Sequence, residues 1–389
     1  MVKKIIAISG IRSDYDIMYP VFKELDSDSE IDFKIIACGT HLLKKYGSTI
    51  ELIEKDGFNI AEKIDYILDS NTDGSRAKGI GILIQSLVQT VERLKPDYLL
   101  VLGDREESIA TAIVGNYIKI PVIHIGGGDE PYGNADDPIR HATSKLSHIH
   151  FTFCEKFRRN LLEMGEEEFR VFNVGNPSLD RIRNTTFLTR DELSQSLDFN
   201  LGDESEPFVV VLQHPLSSEV ESSYMQMRAT IDAIDKLEIK AVIIYPNSDP
   251  GSHGIIKAIE ECRVNKNIKI FENLDRLQFI NALRHATCLI GNSSSGLLEA
   301  PFLKKPAINV GNRQKGRLNA GNVIFIPHEI DIIKQTIHKL IFDKKFVDSI
   351  INGTDQNYYG DSYSTQKILK IIKEIDIDDN LMVKKNSWN

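Results

Sequence analysis

Short apolar runs, each closed by glycine or a polar residue, recur along the chain. Between them lie longer stretches in which apolar residues return every three or four positions. The short runs read as strands of a buried parallel sheet and the longer stretches as helices laid over it. In the first half the spacing predicts strands at 4–9, 33–37, 64–67, 98–102, 120–125, 149–153 and 171–174, with helices over 17–25, 46–56, 82–94 and 154–164. The polar, glycine-containing stretch 71–80 reads as a mobile loop of the kind that closes over a ligand. In the second half strands are predicted at 208–212, 240–245, 268–271, 288–290 and 307–310. Helices are predicted over 224–237, 254–262 and 276–284, and another opens at Leu297. Ile368, Leu369, Ile371, Ile372 and Ile375 form one helical stripe, and the tail after Asp376 is expected to fray.

Strand and helix alternate in both halves, which predicts an α/β protein of two Rossmann-like domains facing across a cleft. A chain of 389 residues is also too long for one ordinary core. The polar, acidic region 184–206 is read as the connection. The expected division is a first domain at 1–182, a second at 183–362, a helix at 363–376 and a tail at 377–389.

In such sheets ligands sit beyond the carboxyl ends of the strands. The strand 98–102 ends in Gly103-Asp104-Arg105, and the next ends in His124-Ile125-Gly126-Gly127-Gly128-Asp129. Asp136, Asp137, Arg140, His141 and Lys145 follow. One such strand end is as readily a solvated loop, but two in succession point to a site. Gly10-Ile11-Arg12-Ser13-Asp14 is a glycine turn into a helix, where Arg12 is either an anion ligand or a surface arginine. It lacks the full GxGxxG pattern of a dinucleotide site. In the second half, strand ends carry Gln213-His214-Pro215, Pro246-Asn247 and Gly291-Asn292-Ser293-Ser294-Ser295-Gly296, with Arg313 and Arg317 further on. A plain helix cap needs one serine, so three between glycines favour a phosphate cradle. Acids in one half and a phosphate site in the other predict a nucleotide-linked substrate.

A net charge of −9 argues against a nucleic-acid partner. No apolar segment approaches the ~20 residues of a membrane span, so no membrane partner is expected. Cys38, Cys154, Cys262 and Cys288 have no CxxC pairing and lie in or beside apolar runs. They read as core residues of a cytoplasmic protein, with zinc and disulfide readings both weak.

The motifs Arg12-Ser13-Asp14-Tyr15, Gly103-Asp104-Arg105, Asp136-Asp137 with Ile139-Arg140-His141, Gln213-His214-Pro215, Asn292-Ser293-Ser294, Arg313-Gln314 with Gly316-Arg317, and Tyr359-Gly360-Asp361 run in order along the chain. In that order the sequence resembles the hydrolysing UDP-N-acetylglucosamine 2-epimerases, most closely their sialic- and legionaminic-acid branch. The resemblance implies a glycosyltransferase-B-type fold whose last helix crosses back to the first domain. It implies elimination of the nucleoside diphosphate to a glycal, then addition of water. It also implies a homodimer and no metal or redox cofactor. Carried over by position, Asp104 and Asp136 match family acids, and His214 matches a histidine on the diphosphate. Ser293 and Ser294 match phosphate contacts, Glu299 a ribose contact, and Arg313 a nucleotide-side cation. Arg12, Arg105 and Asn247 are placed with the nucleotide.

The chain departs from the family pattern at Gly126, where an acid is usual. Asp129, which this branch often keeps, or Glu130 is expected to reach the vacated space along a segment able to bend, or else the enzyme relies on two acids. The glycine is alternatively read as room for a bulkier, 2,4-diacetamido sugar. A glycosyltransferase of the same fold and a nucleotide-sugar sensor without turnover are the competing readings. UDP and GDP remain open, as do N-acetylglucosamine and a bacillosamine-type sugar.

Overall fold

A computed structural model describes residues 2–44, 47–68, 73–130, 136–247, 249, 251–385 and 387, without the side chains of Asp73, Asp136 and Ser217. The chain divides into two compact units, Met1–Arg183 with Gly360–Asn389, and Asn184–Tyr359.

Unit 1 is built on β1 (Lys3–Ser9), β2 (Ile31–Cys38), β3 (Ile60–Ile64), β4 (Tyr98–Leu102), β5 (Val122–Ile125), β6 (Ile149–Thr152) and β7 (Val171–Asn173). They form a parallel sheet in the order β3-β2-β1-β4-β5-β6-β7. Unit 2 carries β8 (Phe208–Leu212), β9 (Lys240–Ile244), β10 (Ile268–Phe271), β11 (Cys288–Gly291), β12 (Ala307–Val310) and β13 (Val323–Ile326). Their order is β10-β9-β8-β11-β12-β13, again all parallel. The central strands are buried on both faces, which is why they read as unbroken apolar runs. In each unit the connections change direction once, between β1 and β4 and between β8 and β11. Crevices at such switch points are where doubly wound sheets take ligands.

Several elements differ from the sequence expectation. The strand predicted at 64–67 is instead β3, Ile60–Ile64, whose half-exposed Glu62 and exposed Lys63 mark an edge strand and hide it from a search for apolar runs. The predicted loop 71–80 is replaced from Asp73 by the helix Asp73–Leu94, with Leu83, Leu87 and Val91 buried; residues 71–72 lie outside the described residues. The helix expected from residue 46 is described as Ile50–Lys55, residue 46 being outside the described part. The helix Asp136–Leu146 went unread because its buried residues, Arg140, Thr143 and Ser144, are polar. β13 and the helices Ile330–Phe342 and Lys344–Gly353 are also additional to the expected elements.

The chain re-enters unit 1 at Gly360, and the helix Ser364–Glu374 packs against the helix Arg12–Ser27. Asp180 caps the returning helix, accepting the Ser364 N–H at 3.1 Å and the Thr365 N–H at 2.7 Å. The tail does not fray through its described residues. A short helix, Asp379–Met382, follows, and buried Arg170 donates to the carbonyls of Asn380, Leu381 and Val383.

Candidate active site

At the switch point of unit 1, β4 ends in Gly103, whose φ of +74° turns the chain so that Asp104 follows beyond the strand end. Arg140 Nη2 donates to Asp104 Oδ2, and its Nη1 donates to the Gly126 carbonyl at 2.6 Å. One buried guanidinium thus ties the turn after β4 to the turn after β5 and fixes the Asp104 carboxylate. Beneath this tie, His124 Nε2–H donates to the Gly103 carbonyl at 2.7 Å, and its Nδ1 takes the Ser144 hydroxyl at 3.1 Å. Burial, with His150 next, pushes His124 down to about 3, so it is neutral and structural.

The glycine segment is held by a hydrogen bond and by close packing. Asn160 holds the Gly128 carbonyl at 2.8 Å, and a Cβ on Gly128 would lie 2.2 Å from the Phe157 carbonyl oxygen. Gly126 has a φ of +77°, and a Cβ there would meet the Phe153 ring at 3.2 Å. Its missing side chain suits a left-handed turn packed on Phe153. Asp129 is buried, with Oδ1 accepting the Glu130 N–H at 2.9 Å. Asp136 opens its helix, and its side chain lies outside the described residues. Asp137 faces His141 at 3.5 Å one turn on.

A second carboxyl cluster lies beside the first. Arg105, placed with the nucleotide by resemblance, has its Nε 3.4 Å from Glu107 and its Nη2 3.7 Å from Glu106. Glu107 is buried, accepts the Tyr66 hydroxyl at 2.6 Å, and fits only because Gly10 lacks a side chain: a Cβ there would lie 1.7 Å from its Oε1. Asp14, in the first turn of the helix Arg12–Ser27, is pushed up to about 7 by burial. Arg105 opposes that rise, and Glu107 and Asp104 add to it. Arg12 pairs with Asp16 at 3.5 Å. Glu106 and Glu107 open the helix Glu106–Ile118, an element additional to those expected from the sequence.

In unit 2 the switch point places β8's end beside β11's end. Asn292 joins them: its Oδ1 accepts the His214 N–H at 2.7 Å, and its Nδ2 donates to the His214 carbonyl at 2.9 Å. Its own carbonyl accepts from Arg313 and Gln314, both at 3.0 Å. His214 Nδ1 accepts the Asn247 backbone N–H at 3.0 Å, which leaves Nε2–H as the donor. Burial, followed by the Arg313 charge, pushes His214 down to about 3. It acts as a neutral hydrogen-bond donor. Ser293 and Ser294 follow in a turn held by Ser293 Oγ, which takes the Ser295 N–H at 3.3 Å. Glu299 is buried and paired with Arg276 at 2.5 Å. Arg276 is thus added to the residues picked out from sequence, while Arg140 and Asn292, named there within motifs, prove to tie strand ends together.

Among the described residues no group of three or more His, Cys, Asp or Glu side chains is arranged to hold a metal ion. None of their helices is long and apolar enough to cross a membrane.

Two doubly wound parallel units, one with carboxyls at its switch point and one with a serine-rich turn at its own, make a fold of the glycosyltransferase-B type. A family model described as UDP-N-acetylglucosamine 2-epimerase matches residues 23–373, and the chain belongs to that family. It is 34% identical over 388 residues, the full length of both chains, to UDP-N,N'-diacetylbacillosamine 2-epimerase (hydrolyzing) of Legionella pneumophila. It is 35% identical over 87% of each chain to GDP/UDP-N,N'-diacetylbacillosamine 2-epimerase (hydrolyzing) of Campylobacter jejuni. In fold it is similar to UDP-GlcNAc 2-epimerase from Neisseria meningitidis bound to UDP-GlcNAc, with a TM-score of 0.80 and 22% identity over 96% of this chain and 100% of that one.

If the serine turn cradles phosphate, replacing Ser293 and Ser294 together with alanine is expected to weaken UDP binding by about 10-fold, the worth of one or two hydrogen bonds to a charged group. Binding of the free sugar should hold. Equal loss of both ligands in calorimetry argues against the cradle.

Proposed function

We propose that the chain is a hydrolysing 2-epimerase of UDP-N,N'-diacetylbacillosamine or a closely similar 2,4-diacetamido sugar nucleotide. The observation that carries the substrate is the 34% full-length identity to the Legionella enzyme, against 28% to the UDP-N-acetylglucosamine 2-epimerase of Neisseria meningitidis. In the first step a carboxylate takes the C2 proton, the C1–oxygen bond to the diphosphate breaks, and the electron pair of the C–H bond becomes the C1–C2 double bond of a glycal. In the second step a water oxygen adds to C1 and a proton to the opposite face of C2, which releases a free, inverted sugar. Asp104, Asp129 and Asp136 are assigned to the proton transfers, as carboxylates suited to general acid–base work.

Unit 2 takes the nucleoside diphosphate. His214 donates through Nε2–H, and Ser293, Ser294 and Arg313 meet the negative charge that grows as the diphosphate leaves. Asn247 and Glu299 are assigned to the nucleoside, and Arg12 and Arg105 to the diphosphate side. For Arg105 the assignment means an indirect role, since its charge faces Glu106, Glu107 and Asp14. Four buried free thiols support a reducing, cytoplasmic setting, and a homodimer is the assembly the family resemblance implies.

The test is incubation in deuterated water, without any acceptor, with the UDP-activated diacetamido sugar or with UDP-N-acetylglucosamine. Mass detection is expected to show faster release of free sugar from the diacetamido substrate, carrying deuterium at C2. Release from UDP-N-acetylglucosamine alone overturns the substrate. Sugar released without deuterium overturns the elimination.

A further inference from the structure

The C-terminal segment is fastened to unit 1 by groups that the reaction does not use. Lys384 extends its ammonium group to the last turn of the helix Asp136–Leu146, donating to the carbonyls of Ser144 at 3.1 Å, Lys145 at 2.9 Å and Ser147 at 2.5 Å. These are carbonyls that a helix leaves without partners at its C-terminus, and a cation there also suits the helix dipole. The same ammonium lies 2.7 Å from Glu166, whose side chain is fully buried. Lys145 at 2.8 Å and His150 at 3.1 Å complete the surroundings of that carboxylate. Burial favours the neutral form of Glu166, yet His150, Lys384 and Lys145 together hold it down at about 2. The segment on either side is held as well. Arg170 binds the carbonyls before Lys384, the Lys385 N–H reaches Glu167 at 3.2 Å, and the Ser387 N–H reaches the Gly165 carbonyl at 3.1 Å.

What this anchor grips matters more than its strength. The helix Asp136–Leu146 carries Arg140, which ties Asp104 to the Gly126 carbonyl. It also carries Ser144, whose hydroxyl holds His124, and His124 in turn holds the carbonyl of Gly103, next to Asp104. Two separate paths therefore lead from the helix to Asp104. The helix is only partly buried and its inward residues, Arg140, Thr143 and Ser144, are polar, so contacts at its end add to what fixes its position along its own axis.

We propose that Lys384 is a positioning residue: the C-terminal segment is a clip whose ammonium group holds the last turn of the Asp136–Leu146 helix, and through Arg140 and His124 sets the placement of Asp104. For its kinetic readout the clip rests on the epimerase reading. Burial lowers Lys384 to about 8, with Glu166 opposing and Lys145 and Arg170 adding to the fall; His148 and His150 also face it and are themselves pushed to about 4. The clip's charge is therefore present below about pH 8 and is lost as the pH rises through that value.

The test is Lys384→Met in the full chain. Expected is a fall in kcat of about 10- to 100-fold, the scale of a small misplacement far from the chemistry, with KM and the calorimetric Kd for UDP held within about twofold. Amide exchange in 136–146 should quicken, and the ratio of wild-type to variant kcat should shrink above pH 8. Unchanged kcat and unchanged exchange overturn the proposal, as does a loss carried in KM alone. A wild-type protein without turnover speaks against the epimerase reading and not the clip, which exchange still tests. If the methionine protein does not fold, Lys384→Gln takes the same measurements.

Discussion

Asp104→Asn is expected to lower kcat by at least ~100-fold, the usual worth of a general acid or base, while UDP affinity stays within about twofold. Asparagine keeps the shape of the side chain and one acceptor for Arg140, so the tie between the two strand ends survives in weakened form. What is lost is the ability to take or return a proton. The expected pattern is a fall in kcat and kcat/KM together, the mark of an interaction made in the transition state. Steady-state kinetics beside UDP calorimetry and a thermal melt decide it. A folded variant with near-normal turnover removes Asp104 from the proton transfers.

The second large effect concerns stability. Glu107→Leu should destabilise the protein by about 3–5 kcal/mol, the cost of removing one partner from a buried ion pair. Arg105 would keep Glu106 and Asp14 nearby but lose the carboxylate 3.4 Å from its Nε, and Tyr66 would lose its acceptor. Glu107→Gln should cost less, because the amide fits the same niche and keeps the Tyr66 contact. Its signature is pH-dependent. Asp14 is raised to about 7 when folded, so its contribution to stability is present below its unfolded pKa near 4 and lost as the pH climbs through 7. Glu107 adds to that rise, so the glutamine variant should lose less stability between pH 4 and 7 than the wild type. Urea denaturation at both pH values measures it. Identical pH dependence in the two proteins breaks the link between Glu107 and Asp14.

Much of this architecture was legible because parallel strands buried on both faces are unbroken apolar runs. The runs at 98–102, 208–212, 268–271 and 307–310 coincide with β4, β8, β10 and β12. Their ends led directly to Asp104 and His214, since chain order alone puts those residues beyond a strand. Elements whose buried face is polar were not legible. The helix Asp136–Leu146 turns Arg140, Thr143 and Ser144 inward, and a search for apolar periodicity passes over it. Partners distant in sequence were equally hidden. Tyr66 gives no sign in the sequence of the Glu107 carboxylate, 41 residues on, that takes its hydroxyl, and Lys384 lies 240 residues from the Ser144 carbonyl that it holds. β3 was misplaced because an edge strand tolerates Glu62 and Lys63.

The niche around Glu107 also restricts the order in which this sequence can change. Gly10 and Gly39 come from the ends of β1 and β2, and a Cβ on either would fall within 3 Å of Glu107 Oε1, at 1.7 Å and 2.7 Å. Gly39 carries the further constraint of a φ of +61°. An alanine at position 10 is therefore barred while residue 107 keeps its length and place. The same alanine becomes tolerable once residue 107 has shortened, which in turn takes from Arg105 one of the carboxylates that face it. Positions 10 and 107 are therefore sterically coupled, and position 105 is coupled to them through its charge. Keeping the Glu107 carboxylate in its place beside Arg105 thus depends on the glycine at position 10, a residue with no chemistry of its own.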